Sequence, residues 1–438
     1  MKVMKFGGTS VGSPERMRDV ARIIQDGDQN IVVLSALSGT TNALVELSTY
    51  LYDKEFSKFK SRLLELRKHY ENFISNIYEK EESKEEAREM VQAHFDYIDA
   101  FSKDMFTIYE ERAILAQGEL MSTAFFHIFC KENGINSKLL PALDFMRTNS
   151  DSEPDDYFIW VNLDRMLKEH AGHDIYITQG YICRNAFGEI DNLKRGGSDY
   201  TASLIGAAVE VDEIQIWTDI DGMHNNDPRI VDNTKPIDHL SFDEAAELAY
   251  FGAKILHPSS VRPAQMKNIP VRLKNTMEPS AGGTLISSES ISRTIKAVAA
   301  KDGITAIKIR SGRMLMAYGF LRSVFEVFEL YRTPIDMITT SEVAVSLTID
   351  DVSHLDKIIK SLEKFGTVEV DNNLSIVCVV GDFISEKSGF ASAIMHALRD
   401  IPLRMVSYGG SKNNVSVLIN ESDKQNALQM LNDELFEA

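Results

Sequence analysis

Cysteine is scarce in this chain: three among 438 residues, at positions 130, 183 and 378. Cys130, Cys183 and Cys378 stand far apart, each within an apolar run. They therefore read as small buried hydrophobes, with neither a disulfide framework nor a thiolate metal site expected. Long hydrophobic runs are missing too, since no stretch approaches the ~18 uninterrupted apolar residues that a membrane helix needs. The opening MKVMKFGGTS passes from a strand-like run straight into glycine. It lacks the apolar core and small-residue cleavage site of a secretory signal, so a cytoplasmic protein without a membrane partner is expected. Positive charge is in deficit as well. A formal net charge of −18 repels polyanions, which argues against a nucleic-acid partner. An anionic ligand must then be met by local clusters of cations and backbone N–H groups.

What is present is the composition of a soluble globular protein, 44% hydrophobic and 26% charged, with length for two or three domains. Val3–Phe6 is short and β-compatible. The segment GGTSVG follows, and then Ser13-Pro14, a cap and first-turn pair for a helix whose apolar residues Met17, Val20, Ala21 and Ile24 recur at helical spacing. Ile31–Leu34 is a continuous apolar run, as in a parallel strand covered on both faces. Such alternation predicts an α/β sandwich. From about Tyr50 to Cys130 the sequence is long, charged and helix-forming, and residues 79–89, EKEESKEEARE, read as a solvated helix or connection. Sheet-like runs return at Ile175–Thr178, Ile214–Trp217 and Val271–Leu273. Ser241 and Glu244 form a capping box ahead of AAELAYFGAKILHP. The stretch from 275 to 292, rich in Ser, Gly, Thr and Pro, is the expected main boundary.

Beyond it lies an internal repeat. Gly319-Phe320 and Gly389-Phe390 each open an apolar-periodic helix. Pro334-Ile-Asp-Met-Ile matches Pro402-Leu-Arg-Met-Val, and Val345-Ser-Leu-Thr-Ile matches Val415-Ser-Val-Leu-Ile. The constant order and offsets of 68 to 70 residues imply two copies of one βα-ββ unit.

The nonapeptide KFGGTSVGS, residues 5 to 13, suits a phosphate. Two glycines after a strand let the backbone approach closely, successive N–H groups can point at oxygens, and the helix N-terminus favours negative charge. It is neither GxxxxGKS nor GxGxxG. The full motif resembles the opening of the aspartokinases, and the resemblance recurs in order. VVLSALSGTTN (32–42), GELMS (from Gly118), TQGYI (178–182), KRGGSDYTA (194–202), WTDIDGMHNNDPR (217–229), FGAKILHP (251–258) and MITTSEVAVSLTID (337–350) are similar to successive segments of that family.

The resemblance implies an amino-acid-kinase α/β sandwich to about residue 285. It would be followed from 298 to 438 by two ferredoxin-like ACT units, with a boundary near 370 and strands that can interleave. It implies ATP-dependent phosphorylation of the side-chain carboxylate of L-aspartate, with Mg²⁺ carried by ATP rather than by a protein metal site. Two anions meet in that reaction, so alignment and charge neutralisation are the main requirements. Lys5 and Lys254 are the candidates for the transferring and leaving phosphates, with Asp199 orienting Lys5. Gly7, Gly8, Ser10, Thr218, Asp219, His224 and Arg229 complete the nucleotide side. Arg195 carries a planar fork for the α-carboxylate of aspartate, beside Gly196 and Ser198. Glu119 faces its amino group, and Ser35, Thr41 and Tyr181 complete the substrate set. Plainer roles compete: Lys254 as a helix cap, Asp219 and Arg229 as a loop ion pair, Glu119 as a first-turn residue, Thr218 as a strand-end hydroxyl. Two residues depart from the family pattern: Lys194, where glycine usually precedes RGGSD, and His224, where an aromatic ring usually borders the nucleotide.

In the repeated units the resemblance places an amino-acid effector near Met314, Phe320, Leu321, Ile335, Asp336, Thr340, Ser341 and Glu342. Asp336 and Glu342 would suit the cationic groups of lysine. Ala317 replaces a serine of some lysine-sensitive relatives, so threonine, methionine or S-adenosylmethionine stays open as effector. ACT units commonly pair across chains, which implies a homodimer or a dimer of dimers, and the length leaves no room for the dehydrogenase half of bifunctional relatives. Two rival readings are a kinase of the same fold acting on another carboxylate such as glutamate, and a non-catalytic amino-acid sensor.

Overall fold

A computed structural model describes residues 1–103, 105–193, 196–252, 256–289, 294–312, 318–381 and 389–436. Arg195, Lys254 and Met314, like Lys194 and Ala317, lie outside the described residues. Contacts divide the chain into two compact units, Met1–Met223 with Leu256–Glu289, and His224–Ile255 with Ser290–Ala438.

In the first unit the apolar runs become parallel strands, as their lack of alternation requires. Lys2–Phe6 is central, paired in parallel with Asn30–Leu34 on one side and Glu213–Thr218 on the other. Ile175–Gln179 and Ser137–Leu139 extend the sheet beyond the first neighbour, and Val271–Asn275 extends it beyond the second. Thr284–Ser287 adds an antiparallel strand beside Val271–Asn275. The strand Asn30–Leu34 is buried at every residue. Helix Pro14–Ile23 starts where Ser13 caps it, with Pro14 in its first turn, and it buries Met17, Val20 and Ala21. Met17 and Val20 each contribute roughly 1.5–3 kcal/mol on leaving water, and the single methyl of Ala21 about 0.8.

The charged middle of this unit forms helices Phe56–Ile77 and Glu81–Ala100, which run into the long helix Ile108–Glu132. That last helix is capped by a Thr107–Glu110 box. By length and composition it could cross a membrane, but 83% of its apolar window is buried inside the fold, as in a core helix. Tyr70, Phe73 and Phe125 stack between these helices.

The second unit carries the repeat in three dimensions. Gly319, with φ of 84°, precedes helix Phe320–Leu330, and Gly389, with φ of 107°, precedes helix Phe390–Ala397. Both values lie where a side chain on Cβ is disfavoured, which explains glycine at both starts. The six-stranded sheet is built on two long antiparallel strands, Ile295–Arg310 and Thr367–Gly381. Thr305–Arg310 pairs with Ala344–Ile349, whereas Leu374–Val380 pairs with Asn414–Asn420. Each long strand therefore serves both repeats, and the shift of register between Lys301 and Ala306 marks the crossing. One apolar cluster holds Ile307, Val324, Leu347 and Ile358. The other holds Val377, Ile394, Val417 and Leu428. Residues 224–255 belong with this unit: Val298 N–H donates to Asn225 O at 2.8 Å, and Asn226 Nδ2 to Leu428 O at 3.0 Å.

Candidate active site

The carboxyl ends of the parallel strands in the first unit bring Lys5, Ser35 and Tyr181 to the start of the helix that carries Ser198 and Asp199. Lys5 lies one residue before the end of its strand, and its Nζ is 2.7 Å from Asp199 Oδ1. Asp199 stands in the first turn of helix Gly197–Val209, whose N-cap, Gly196, has φ of 71°. The loops after the first two strands are pressed together. A Cβ on Gly8 would come within 2.9 Å of Ala36 O, and one on Gly12 within 2.7 Å of Ser38 Cβ. Gly7 would place a Cβ 3.4 Å from Lys5 Nζ. These glycines keep the approach to the ammonium open.

On the next strand ends, Ser35 Oγ donates to Ser198 Oγ at 2.9 Å. Gly180 lies so close to Ser198 that a Cβ there would collide with its side chain. Tyr181 follows with φ of 67°, and its N–H donates to Thr201 Oγ1 at 2.9 Å. Glu119 is in the middle of helix Ile108–Glu132, not in a first turn. It is 4% exposed, and Oε1 accepts from Ala36 N–H at 3.3 Å. Its Oε2 has no hydrogen-bond partner. Burial pushes this carboxyl up to about 8. A buried carboxyl with one empty oxygen is suited to accept a cationic donor. Thr41 is exposed in the first turn of helix Thr40–Tyr52, next to the buried Thr40, which bonds Tyr70 Oη at 3.1 Å.

The predicted nucleotide residues are more dispersed. Ser10 is fully buried, and its hydroxyl bonds Thr276 Oγ1 at 2.8 Å. Thr276 in turn donates to Thr218 O at 2.9 Å, so the hydroxyl of Ser10 ties the glycine loop to neighbouring strand ends. Thr218 Oγ1 accepts from Ile220 N–H at 3.2 Å, closing a turn at the strand end, and Asp219 is exposed. His224 and Arg229 belong to the second unit. His224 Nδ1 meets Thr234 Oγ1 at 2.9 Å, and Arg229 forms a two-pronged ion pair with Asp227, not with Asp219. Among the described residues no group of three His, Cys, Asp or Glu could hold a metal ion.

In the effector region, Phe320 and Leu321 open helix Phe320–Leu330, with the Phe320 ring edge-on to Phe365. Ile335 is half-buried, Thr340 ends strand Ile338–Thr340, and Ser341 and Glu342 are exposed. Ser341 N–H donates to Ala344 O at 2.8 Å, closing the connection between two strands. The Asp336 side chain is 1% exposed and already meets a cation: Lys301 Nζ lies 2.8 Å from its Oδ1 and 2.8 Å from Asp350 Oδ2. Tyr250 Oη donates to the same Asp336 oxygen at 2.8 Å, and its ring lies under the Lys301 ammonium, 4.6 Å from the centroid. Sequence reasoning missed Lys301, Tyr250, Thr201 and Thr276. Thr201 lay inside a quoted motif, but no spacing rule ties the other three to their partners.

The amino acid kinase family matches residues 1–275, and the ACT domain matches residues 377–435. Lysine-sensitive aspartokinase 3 of Escherichia coli is 33% identical over 99% of both chains. The chloroplastic aspartokinase 3 of Arabidopsis thaliana is 34% identical over 99% of this chain and 81% of its own. Among solved structures, E. coli aspartokinase III in complex with aspartate and ADP superposes with a TM-score of 0.86 at 32% identity, covering all of both chains. Its complex with lysine and aspartate gives 0.80 at 33% identity, covering all of this chain and 99% of the other. With this likeness running from end to end, the chain belongs to the aspartokinases of the amino acid kinase family.

Proposed function

We propose that the first unit transfers the γ-phosphate of ATP to the side-chain carboxylate of L-aspartate, giving 4-phospho-L-aspartate and ADP, the first step of lysine, threonine and methionine biosynthesis. The observation that carries the reading is the Lys5–Asp199 pair, 2.7 Å apart at the mouth of two glycine loops. A carboxylate is ionised at neutral pH, so no general base is required. One of its oxygens forms the new P–O bond as the bond from the γ-phosphorus to the bridging oxygen breaks, and ADP leaves with that electron pair.

The charge on the transferred group is met by the Lys5 ammonium, held in line by Asp199, and by the glycine loop from Gly8 onward, the Gly7 N–H being bonded to Trp217 O. Mg²⁺, arriving with the nucleotide, would neutralise phosphate oxygens. Lys254 is assigned to the leaving phosphates, with Thr218, Asp219, His224 and Arg229 as the nucleotide-flanking set. For aspartate, Arg195 would hold the α-carboxylate, Glu119 the ammonium through its empty Oε2, and Ser35, Thr41, Tyr181, Gly196 and Ser198 the remaining walls. E. coli aspartokinase III in its R state is a complex with aspartate and ADP, which supports this ligand pair.

Residues 298–438 are assigned to two ACT units that sense an amino acid by feedback. Lysine is favoured because the E. coli relatives are named for lysine sensitivity and for a lysine complex. The effector set is Met314, Phe320, Leu321, Ile335, Asp336, Thr340, Ser341 and Glu342, and pairing of ACT units would make a homodimer or a dimer of dimers.

The test is to trap the acyl phosphate with hydroxylamine in the presence of Mg-ATP and L-aspartate while lysine is titrated. Hydroxamate that forms with aspartate, not with glutamate, and declines as lysine rises is the expected result. A folded enzyme that makes none overturns the kinase assignment. Hydroxamate indifferent to lysine overturns the effector alone.

A further inference from the structure

Among the described residues seven other than glycine have a positive φ, and Tyr181 is the aromatic one among them. Backbone in this region is strained for a residue with a bulky side chain and persists only where its surroundings hold it. Tyr181 is the middle of a three-residue turn closed by Ile182 N–H donating to Gly180 O at 2.7 Å. With positive φ at its centre, such a turn is rare. Its remaining backbone groups are both occupied: Tyr181 O accepts from Leu193 N–H at 2.8 Å, and Tyr181 N–H donates to Thr201 Oγ1 at 2.9 Å.

Thr201 has no contact with solvent. Its hydroxyl accepts from the Tyr181 turn and donates to Gly197 O at 3.1 Å, in the first turn of the helix that carries Ser198 and Asp199. An apolar side chain in its place would remove both bonds. The Tyr181 side chain lies against the same helix start, since a Cβ on Gly197 would come within 3.0 Å of its Cδ2. One hydroxyl therefore joins the strained strand end to the start of the helix.

We infer that Thr201 is a positioning residue for the aspartate site, stapling the Tyr181 turn to the start of helix Gly197–Val209 so that Tyr181 and Ser198 keep their places, while Asp199 is held separately by Lys5. This rests on the reading of these strand ends as the aspartate site. Thr201 touches no reacting atom, so its loss acts on aspartate binding before it acts on the nucleotide. Valine has the shape of threonine without the donor and acceptor, and serine keeps both.

Steady-state kinetics of the full chain, with each substrate varied, test it. Thr201→Val should raise the KM for aspartate tenfold or more and leave the KM for ATP within twofold. Thr201→Ser should stay within threefold of wild type in both. If the valine variant does not fold, Thr201→Ala carries the same expectation. An unchanged aspartate KM, a serine variant as impaired as valine, or both KM values rising together would each overturn the inference. Ser198→Ala separates the two levels. If it raises the aspartate KM while Thr201→Val does not, the staple alone fails. If Ser198→Ala also leaves that KM unmoved, the aspartate-site reading fails with it.

Discussion

Lys5 Nζ and Asp199 Oδ1 are 2.7 Å apart, with side chains only 11% and 16% exposed. Such a pair is poorly screened by solvent, and removing one partner leaves the other uncompensated, at a cost of about 3 kcal/mol. Lys5→Ala should lower turnover by three orders of magnitude or more. Asp199→Asn, which keeps the ammonium but frees its direction, should lower it by one to two. The double variant Lys5→Ala/Asp199→Asn should recover thermal stability without recovering activity. Recovery of activity in that double variant, or near-normal turnover in Lys5→Ala, would exclude Lys5 from the phosphate site.

Glu119 gives a pH signature. Its carboxyl titrates at about 8 in the ligand-free fold, raised by burial from an ordinary 4.5. Between those two values the folded state holds a proton that the unfolded state has released, so this group makes the ligand-free enzyme less stable as pH rises from about 4.5 to 8. An aspartate ammonium at Oε2 requires the ionised form. Aspartate affinity should therefore strengthen as pH rises from 6 to 8, with a proton released on binding. Glu119→Gln should flatten the pH dependence of both the affinity and the melting temperature. Binding calorimetry in buffers of different ionisation enthalpy measures the released proton directly. A wild-type pH profile in the Gln variant would rule Glu119 out as the titrating group.

The sheet and its phosphate-side loops are legible because their signals are local. Continuous apolar runs become parallel strands, Ser13-Pro14 starts a helix, and Gly7, Gly8 and Gly12 stand where loops crowd. The repeat is legible for the same reason, since Gly319 and Gly389 both occupy backbone that excludes other residues. Partners far apart in the chain are not. Nothing near Ser10 announces Thr276, and Asp336 reads as an open carboxylate until the fold brings Lys301 and Tyr250 to it. Strand Thr284–Ser287 lies in a Ser- and Gly-rich stretch that local composition marks as a linker; its antiparallel neighbour makes it a strand. Residues 224–255 follow a strand of the first unit without any break in character, yet Asn225 and Asn226 bond the second.

Lys301 holds Asp336 Oδ1, one of the two oxygens an effector ammonium could use, while Oδ2 has no hydrogen-bond partner among the described residues. The bonds from Asp336 and Asp350 raise its pKa in spite of burial. The stability from this pairing is thus fully present at neutral pH and is lost only as pH climbs through a value above 10.5. If lysine binds through Asp336, it competes with the chain's own ammonium. Lys301→Met should then lower the lysine concentration for half-inhibition several-fold, while the second unit melts earlier because Asp336 is left without its counter-ion. Inhibition curves at fixed aspartate and ATP read the first effect, and calorimetric melting reads the second. An unaltered half-inhibition point would separate Asp336 from effector binding.

Ser10 distinguishes a nucleotide contact from a structural one. Its hydroxyl is buried against Thr276, which is itself bonded to Thr218 O, so its bond closes inside the protein. A buried hydroxyl pair of this kind contributes roughly 0.5–1.5 kcal/mol, and an orphaned partner costs about as much again. Ser10→Ala should lower stability by about 1–2 kcal/mol in denaturant melts and leave the KM for ATP within twofold, because the N–H groups of the glycine loop are retained. Thr276→Val, which also removes the bond to Thr218 O, should lose more. The double variant should lose less than the sum of the two, since each single change removes the same Ser10–Thr276 bond. A tenfold rise in the KM for ATP in Ser10→Ala, with stability unchanged, would instead put that hydroxyl on the phosphates.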